Sequence, residues 1–155
     1  MAVTQCSTAA SIEVGMVHEA SFVFSHDEVA AYCKLCGDHN AIHHSVEAAA
    51  LRFPEARDII VPGGLIQISI TGIFGSQFPG DGSLGLTFTP ERFRKPVFPG
   101  ETIRVRLEVT RKRGEMIEFD IAVFDPNDEQ IGAAKSRLIA PDDGYHAWWS
   151  ENIQA

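Results

Sequence analysis

Between Asp58 and Phe78 the chain reads Asp-Ile-Ile-Val-Pro-Gly-Gly-Leu-Ile-Gln-Ile-Ser-Ile-Thr-Gly-Ile-Phe-Gly-Ser-Gln-Phe, apolar for most of its length after the Pro62-Gly63-Gly64 break. A bilayer span takes about 20 apolar residues in succession, and this stretch falls short of that. A helix that is apolar nearly all round and does not cross a membrane has to be enclosed by protein. The rest of the fold is therefore constrained to supply a wrapper.

The sequence after this helix supplies it. Leu84 to Phe93, Thr102 to Val109, Met116 to Phe124 and Gln130 to Ile139 read as strands. In the second, Ile103, Val105, Leu107 and Val109 alternate with Thr102, Arg104, Arg106 and Glu108, giving one buried face and one wet face. Gly114 and the Asp125-Pro126-Asn127-Asp128 cluster are turn signals between successive strands, so the sheet is expected to be antiparallel. Upstream, Val17 to Phe24 suggests a short strand. Ser25 with Glu28 forms a capping-box signature, Val29, Tyr32, Cys33 and Cys36 follow at helical spacing, and Gly37 is a natural stop. Ser45 opens a second short helix that must end before Pro54. The predicted class is α+β, an antiparallel sheet curled around one buried central helix. Residues 1–15 are expected to be a flexible arm, 16–140 the domain and 141–155 a tail carrying Trp148 and Trp149.

With 155 residues, 45% hydrophobic and 22% charged, the composition is that of one soluble globular domain. A formal net charge of -8 argues against binding nucleic acid through its phosphates. No secretory leader is visible at the start, and three cysteines are an odd number, so reduced thiols and a cytoplasmic location are expected. The charge is unevenly spread. Residues 92–113 hold eight of the 13 basic residues against two acids, a strip of +6 beside -14 elsewhere. A strip of that kind could attract phosphates or an acidic protein surface, while a solvated outer face of two strands is the plainer alternative.

The densest chemistry lies in Cys33-Lys-Leu-Cys36-Gly-Asp38-His39-Asn40-Ala-Ile-His43-His44-Ser45. Cys33, Cys36, His39 and His43 superficially offer four zinc ligands, but two residues separate the pairs where a finger allows about a dozen. A redox Cys-x-x-Cys pair is activated at a helix N-terminus, and this one falls late in a helix. Buried helix cysteines are the favoured reading, and no metal is expected. Asp38 and His43 sit in the turn between two helices, where Asn40 tolerates the local bonding that could bring carboxylate and imidazole toward one water, a pair suited to general acid and base work. The alternative is that Asp38 merely caps the turn and His43 merely enters a helix. Gly63 and Gly64, opening the buried helix, could present unsatisfied N–H groups to a carbonyl oxygen, or form a plain loop-to-helix turn.

Three segments together resemble the MaoC-like hot-dog family and, within it, the (R)-specific enoyl-CoA hydratases. Leu35-Cys36-Gly37-Asp38-His39-Asn40-Ala41-Ile42-His43 matches that family's Gly-Asp-x-Asn-Pro-Ile-His helix end. Ile60-Val61-Pro62-Gly63-Gly64-Leu65 is similar to its Ile-Val-His-Gly-Met-Leu segment, and Arg92-Phe93-Arg94-Lys95-Pro96-Val97-Phe98-Pro99-Gly100-Glu101-Thr102 to its Arg-Phe-x-x-Pro-Val-x-Pro-Gly-Asp-Thr strand entry. The resemblance implies a hot-dog fold, reversible hydration of a trans-2-enoyl thioester, Asp38 and His43 as catalytic pair, and the Gly63 N–H as carbonyl holder. It implies no cofactor, because CoA or phosphopantetheine is part of the substrate. It also implies a homodimer, and Arg92, Arg94 and Lys95 become candidate contacts for CoA phosphates or an acyl carrier protein. Two positions depart from the pattern, Ala41 for proline and Pro62 for histidine. A hot-dog thioesterase and a non-catalytic acyl-CoA-binding module are the competing functions.

Overall fold

The computed structural model describes residues 4–91 and 93–154. The elements are β1 (Val17–Val23), α1 (His26–Cys36), a 3-10 turn (Ala41–His43), α2 (Val46–Arg52), α3 (Gly63–Ser76), β2 (Leu84–Pro90), β3 (Thr102–Arg113), β4 (Met116–Phe124), β5 (Gln130–Ile139) and α4 (Asp143–Asn152). The five strands form one antiparallel sheet in the order β1-β3-β4-β5-β2. β2 stops at Pro90, which has no N–H to continue a ladder. The chain nevertheless stays beside β5, since Glu91 N–H donates to Ala133 O and Arg94 N–H to Ile131 O.

Local signals explain the helices ahead of the site. Ser25 Oγ accepts from Glu28 N–H while the Glu28 carboxylate accepts from Ser25 N–H, so two orphan donors are satisfied at the start of α1. At its end Gly37 takes the left-handed conformation, φ 73°, that only glycine adopts without cost. Ser45 caps α2 through Ala48 N–H.

α3 lies across the concave face of the sheet. Leu65, Ile66, Ile70, Ile73 and Phe74 are buried against Val105, Leu107, Phe119, Ile121 and their neighbours. Full enclosure, expected from the sequence, is not what the single chain provides. Ile68 is 50% exposed, and Thr71, Gly72 and Gly75 follow it on the same open stripe, beside Leu84 and Leu86 of the edge strand β2 at 65% and 53%. The sheet covers one side of the helix, and apolarity on the other side has no cover among the described residues.

The first residues also differ from the expected loose arm, of which residues 1–3 lie outside the described residues. Gln5 N–H donates to Ser76 O and Ser7 N–H to Pro79 O, Cys6 bridges to Gly80, and Ile12 is fully buried. The Lys112 ammonium donates to the carbonyls of Ala9 and Ile12. The approach of Gln5 to Gly80 is so close that a Cβ there would lie 1.8 Å from Gln5 O. The tail forms α4, capped by Asp142, and its two tryptophans part company: Trp149 is buried, Trp148 half exposed beside Tyr145. Tyr145 Oη donates to Asp81 at 2.7 Å, and the His146 ring meets Cys6 O at 2.8 Å through Nδ1.

Candidate active site

The turn after α1 is built by short side-chain bonds. Asn40 N–H donates to Asp38 Oδ1 at 2.9 Å, Ile42 N–H donates to Asn40 Oδ1 at 3.4 Å, and Ser45 N–H donates to Ala41 O at 2.8 Å. The turn thus closes with Ala41 in place of a proline, because polar groups on either side hold it. Asn40 is a builder of the turn, and its side-chain oxygen is already engaged.

His43, at the end of that turn, is 8% exposed. The residues around Ile60 run alongside, Ile60 N–H donating to Ile42 O at 2.9 Å, and the Ile60 carbonyl lies 2.6 Å from His43 Nδ1. A carbonyl only accepts, so Nδ1 donates to it, and in the neutral tautomer selected by that bond Nε2 is the bare nitrogen. Asp38 Oδ2 stands 3.7 Å from that Nε2. The two atoms are too far apart for a direct hydrogen bond, and in the neutral ring both are acceptors. One water, donating a proton to each, satisfies both and is at the same time held and polarised.

Near this pair α3 begins at Gly63, behind Pro62, which offers no side-chain cap. Among the described residues the N–H groups of Gly63 and Gly64 have no acceptor, leaving the positive end of a 14-residue helix open. Two aromatic rings flank this turn. Phe93 packs on Gly63, where a Cβ would sit 3.7 Å from the ring, and Tyr32 packs on Gly64, where a Cβ would sit 2.0 Å from the phenol oxygen. A cavity of about 300 Å³ opens on the Phe93 side, lined by Ile42, His43, Phe53, Gly63 and Arg94 among others. Asp38 is not in that lining.

The basic residues separate into tied and free. Lys95 is held by Glu129 and Asp125, Arg104 by Glu19 and Asp128 with its guanidinium 4.3 Å from the Phe124 ring centre, Arg106 by Glu108, and Arg111 lies 3.9 Å from Glu118. Four of the eight basic residues of the strip are therefore paired with acids within the domain. Arg94 has no ion pair among the described residues and lines both the His43 cavity and a polar groove of about 470 Å³ beside it. Arg92, the third candidate, lies outside the described residues. Cys33 is buried and its thiol is pushed up first by that burial, then by Asp38, while Cys36 is exposed, so the buried-cysteine reading holds for one of the two. Among the described residues no group of three or more His, Cys, Asp or Glu could hold a metal, and no helix is long and apolar enough to cross a membrane.

Sequence reasoning missed the Ile60 carbonyl that sets the imidazole, and Tyr32, read only as a position at helical spacing. The one signal for Tyr32 was a second glycine at 64, which an N–H donor does not itself require.

A family model described as "MaoC like domain" matches residues 7–123. The chain belongs to the MaoC-like family. It is 37% identical over 106 residues to an (R)-specific enoyl-CoA hydratase of Aeromonas caviae, covering 68% of this chain and 77% of that one. It is 29% identical over 102 residues to a mitochondrial 3-hydroxyacyl-[acyl-carrier-protein] dehydratase of Solanum lycopersicum, covering 66% of this chain and 59% of that one. The unliganded R-hydratase PhaJ1 of Pseudomonas aeruginosa superposes with a TM-score of 0.82 at 26% identity, covering 90% of this chain and 89% of that one. The hot-dog architecture expected from the motifs is the architecture found.

Proposed function

We propose that this MaoC-like domain adds water reversibly to a trans-2-enoyl thioester. The observation that carries the reading is the bare Nε2 of His43, fixed by Ile60 and facing Asp38 across a 3.7 Å gap, beside the uncapped N-terminus of α3. A water in that gap loses a proton to the pair as its oxygen bonds to the β carbon of the enoyl group. The π electrons move onto the thioester oxygen, where the Gly63 N–H stabilises the enolate, and collapse of the enolate takes a proton from the pair at the α carbon. The reverse sequence is dehydration. The chemistry calls for no metal or redox cofactor, and the names of the A. caviae and tomato relatives support a hydro-lyase.

Arg94, on the cavity wall without an ion pair among the described residues, supports a contact with the phosphates of CoA or of a carrier-bound phosphopantetheine, whereas Lys95 is already engaged. Free thiols at Cys6, Cys33 and Cys36 suit the reducing cytoplasm. The open stripe of α3 and the exposed edge of β2 support a homodimer, because a second copy would cover both. Elution of a dilute sample as a 17.0 kDa species would contradict that pairing.

The test is absorbance of crotonyl-CoA, whose conjugated enoyl thioester is consumed on hydration. Asp38→Ala should lower the rate by about 100-fold or more, and equal rates for wild type and variant would sink the proposal. Release of free thiol from the same substrate would instead identify a thioesterase, and binding without turnover an acyl-CoA-binding module.

A further inference from the structure

The phenol of Tyr32 lies against Gly64 so closely that an ideal Cβ at position 64 would be 2.0 Å from the hydroxyl oxygen and 3.0 Å from the ring carbon that bears it. Residue 64 is the second residue of α3, one of the two whose N–H groups are left without an acceptor. Glycine here is thus the condition for bringing a side-chain hydroxyl onto the open turn. Tyr32 is half-buried and packs its ring on the core from α1, the helix whose Gly37 stop is followed by Asp38. The phenol is anchored at the ring and polar at the tip, and the tip lies on Gly64 while Phe93 packs on Gly63.

We propose that Tyr32 contacts the substrate, its hydroxyl donating to the thioester carbonyl oxygen alongside the N–H groups at the head of α3, with Gly64 conserving the space it needs. The role rests on the hydration reading above and adds a side-chain donor to it. A carbonyl oxygen accepts more than one hydrogen bond, and each donor aimed at it gains strength as charge develops there. The hydroxyl also remains a donor throughout the neutral range. Burial, then the neighbouring Cys36 thiol and Asp38 carboxylate, raise its pKa above the usual phenol value.

The experiment compares wild type, Tyr32→Phe, Gly64→Ala and the double variant. Loss of one donor should lower kcat/KM for crotonyl-CoA by about tenfold, mainly in kcat, since the bond tightens as the enolate forms. Gly64→Ala should cause a similar loss by displacing the hydroxyl, and the double variant should be no worse than Tyr32→Phe alone. Wild-type kinetics in Tyr32→Phe, or losses that multiply in the double variant, would overturn the assignment. The carbonyl stretching frequency of bound butyryl-CoA, a saturated thioester that cannot be hydrated, gives a readout free of turnover. It should shift downward in wild type and recover part of the way in Tyr32→Phe; an identical frequency in both, or no binding to either, overturns the proposal. If the shift is lost in Tyr32→Phe while wild type hydrates nothing, the contact stands and it is the hydration reading that fails.

Discussion

Two His–Asp pairs occur among the described residues, and the tighter one is the less interesting. His26 and Asp58 meet at 2.9 Å between α1 and the segment leading into α3, with the histidine side chain 62% exposed. His43 and Asp38 stand 3.7 Å apart, with the histidine side chain 9% exposed. In the first pair the ring nitrogen and the carboxylate oxygen already bond each other, so no gap between them calls for a third molecule. In the second the imidazole spends its one proton on the Ile60 carbonyl, so its remaining nitrogen and the carboxylate face each other as acceptors and need a donor from outside. A gap with unspent hydrogen-bonding capacity is a better mark of chemistry than a short contact.

Exchanging the treatment of the two pairs tests the contrast. His43→Ala should cost about 100-fold or more in hydration rate, measured on crotonyl-CoA, whereas His26→Ala should leave the rate within about twofold. Comparable losses from both would erase the distinction. In urea unfolding His43→Ala should be destabilised by about 1–3 kcal/mol, because the buried Ile60 carbonyl loses its donor. His26→Ala should lose less than about 1 kcal/mol, as exposed ion pairs generally do. The smallest effect is in pH dependence. His26, through its hydrogen bond, holds the Asp58 carboxyl below its ordinary value of 3.8. That contribution is complete above the unfolded value and disappears as pH falls through the folded one, so wild type should lose urea resistance relative to His26→Ala as the pH falls below about 3.8. Parallel curves for the two proteins would show that the pair does not couple to folding.

What could be read in advance depended on how local the determinant was. The capping box at Ser25, the left-handed stop at Gly37 and the alternation of β3 are set by neighbours a few residues away, and they stand where the pattern puts them. The Asp38–His43 turn was legible for the same reason, since Asn40 organises it over five residues. The open stripe of α3 was not, because an apolar run says that a surface will be covered and leaves open by which chain. Nor was the pairing of half of the basic strip with acids. Arg104 finds Glu19 and Asp128, and Lys95 finds Glu129, only once β1 and the β4–β5 turn are brought beside them. Tyr32 over Gly64 joins two helices in the same way, and no spacing within either announces it.

The contact between Cys6 O and His146 brings residues near opposite ends of the sequence to one corner of the molecule, where α3 turns into β2. Pulling α4 away would therefore also loosen the Gln5–Ser7 segment that pairs with the chain between α3 and β2.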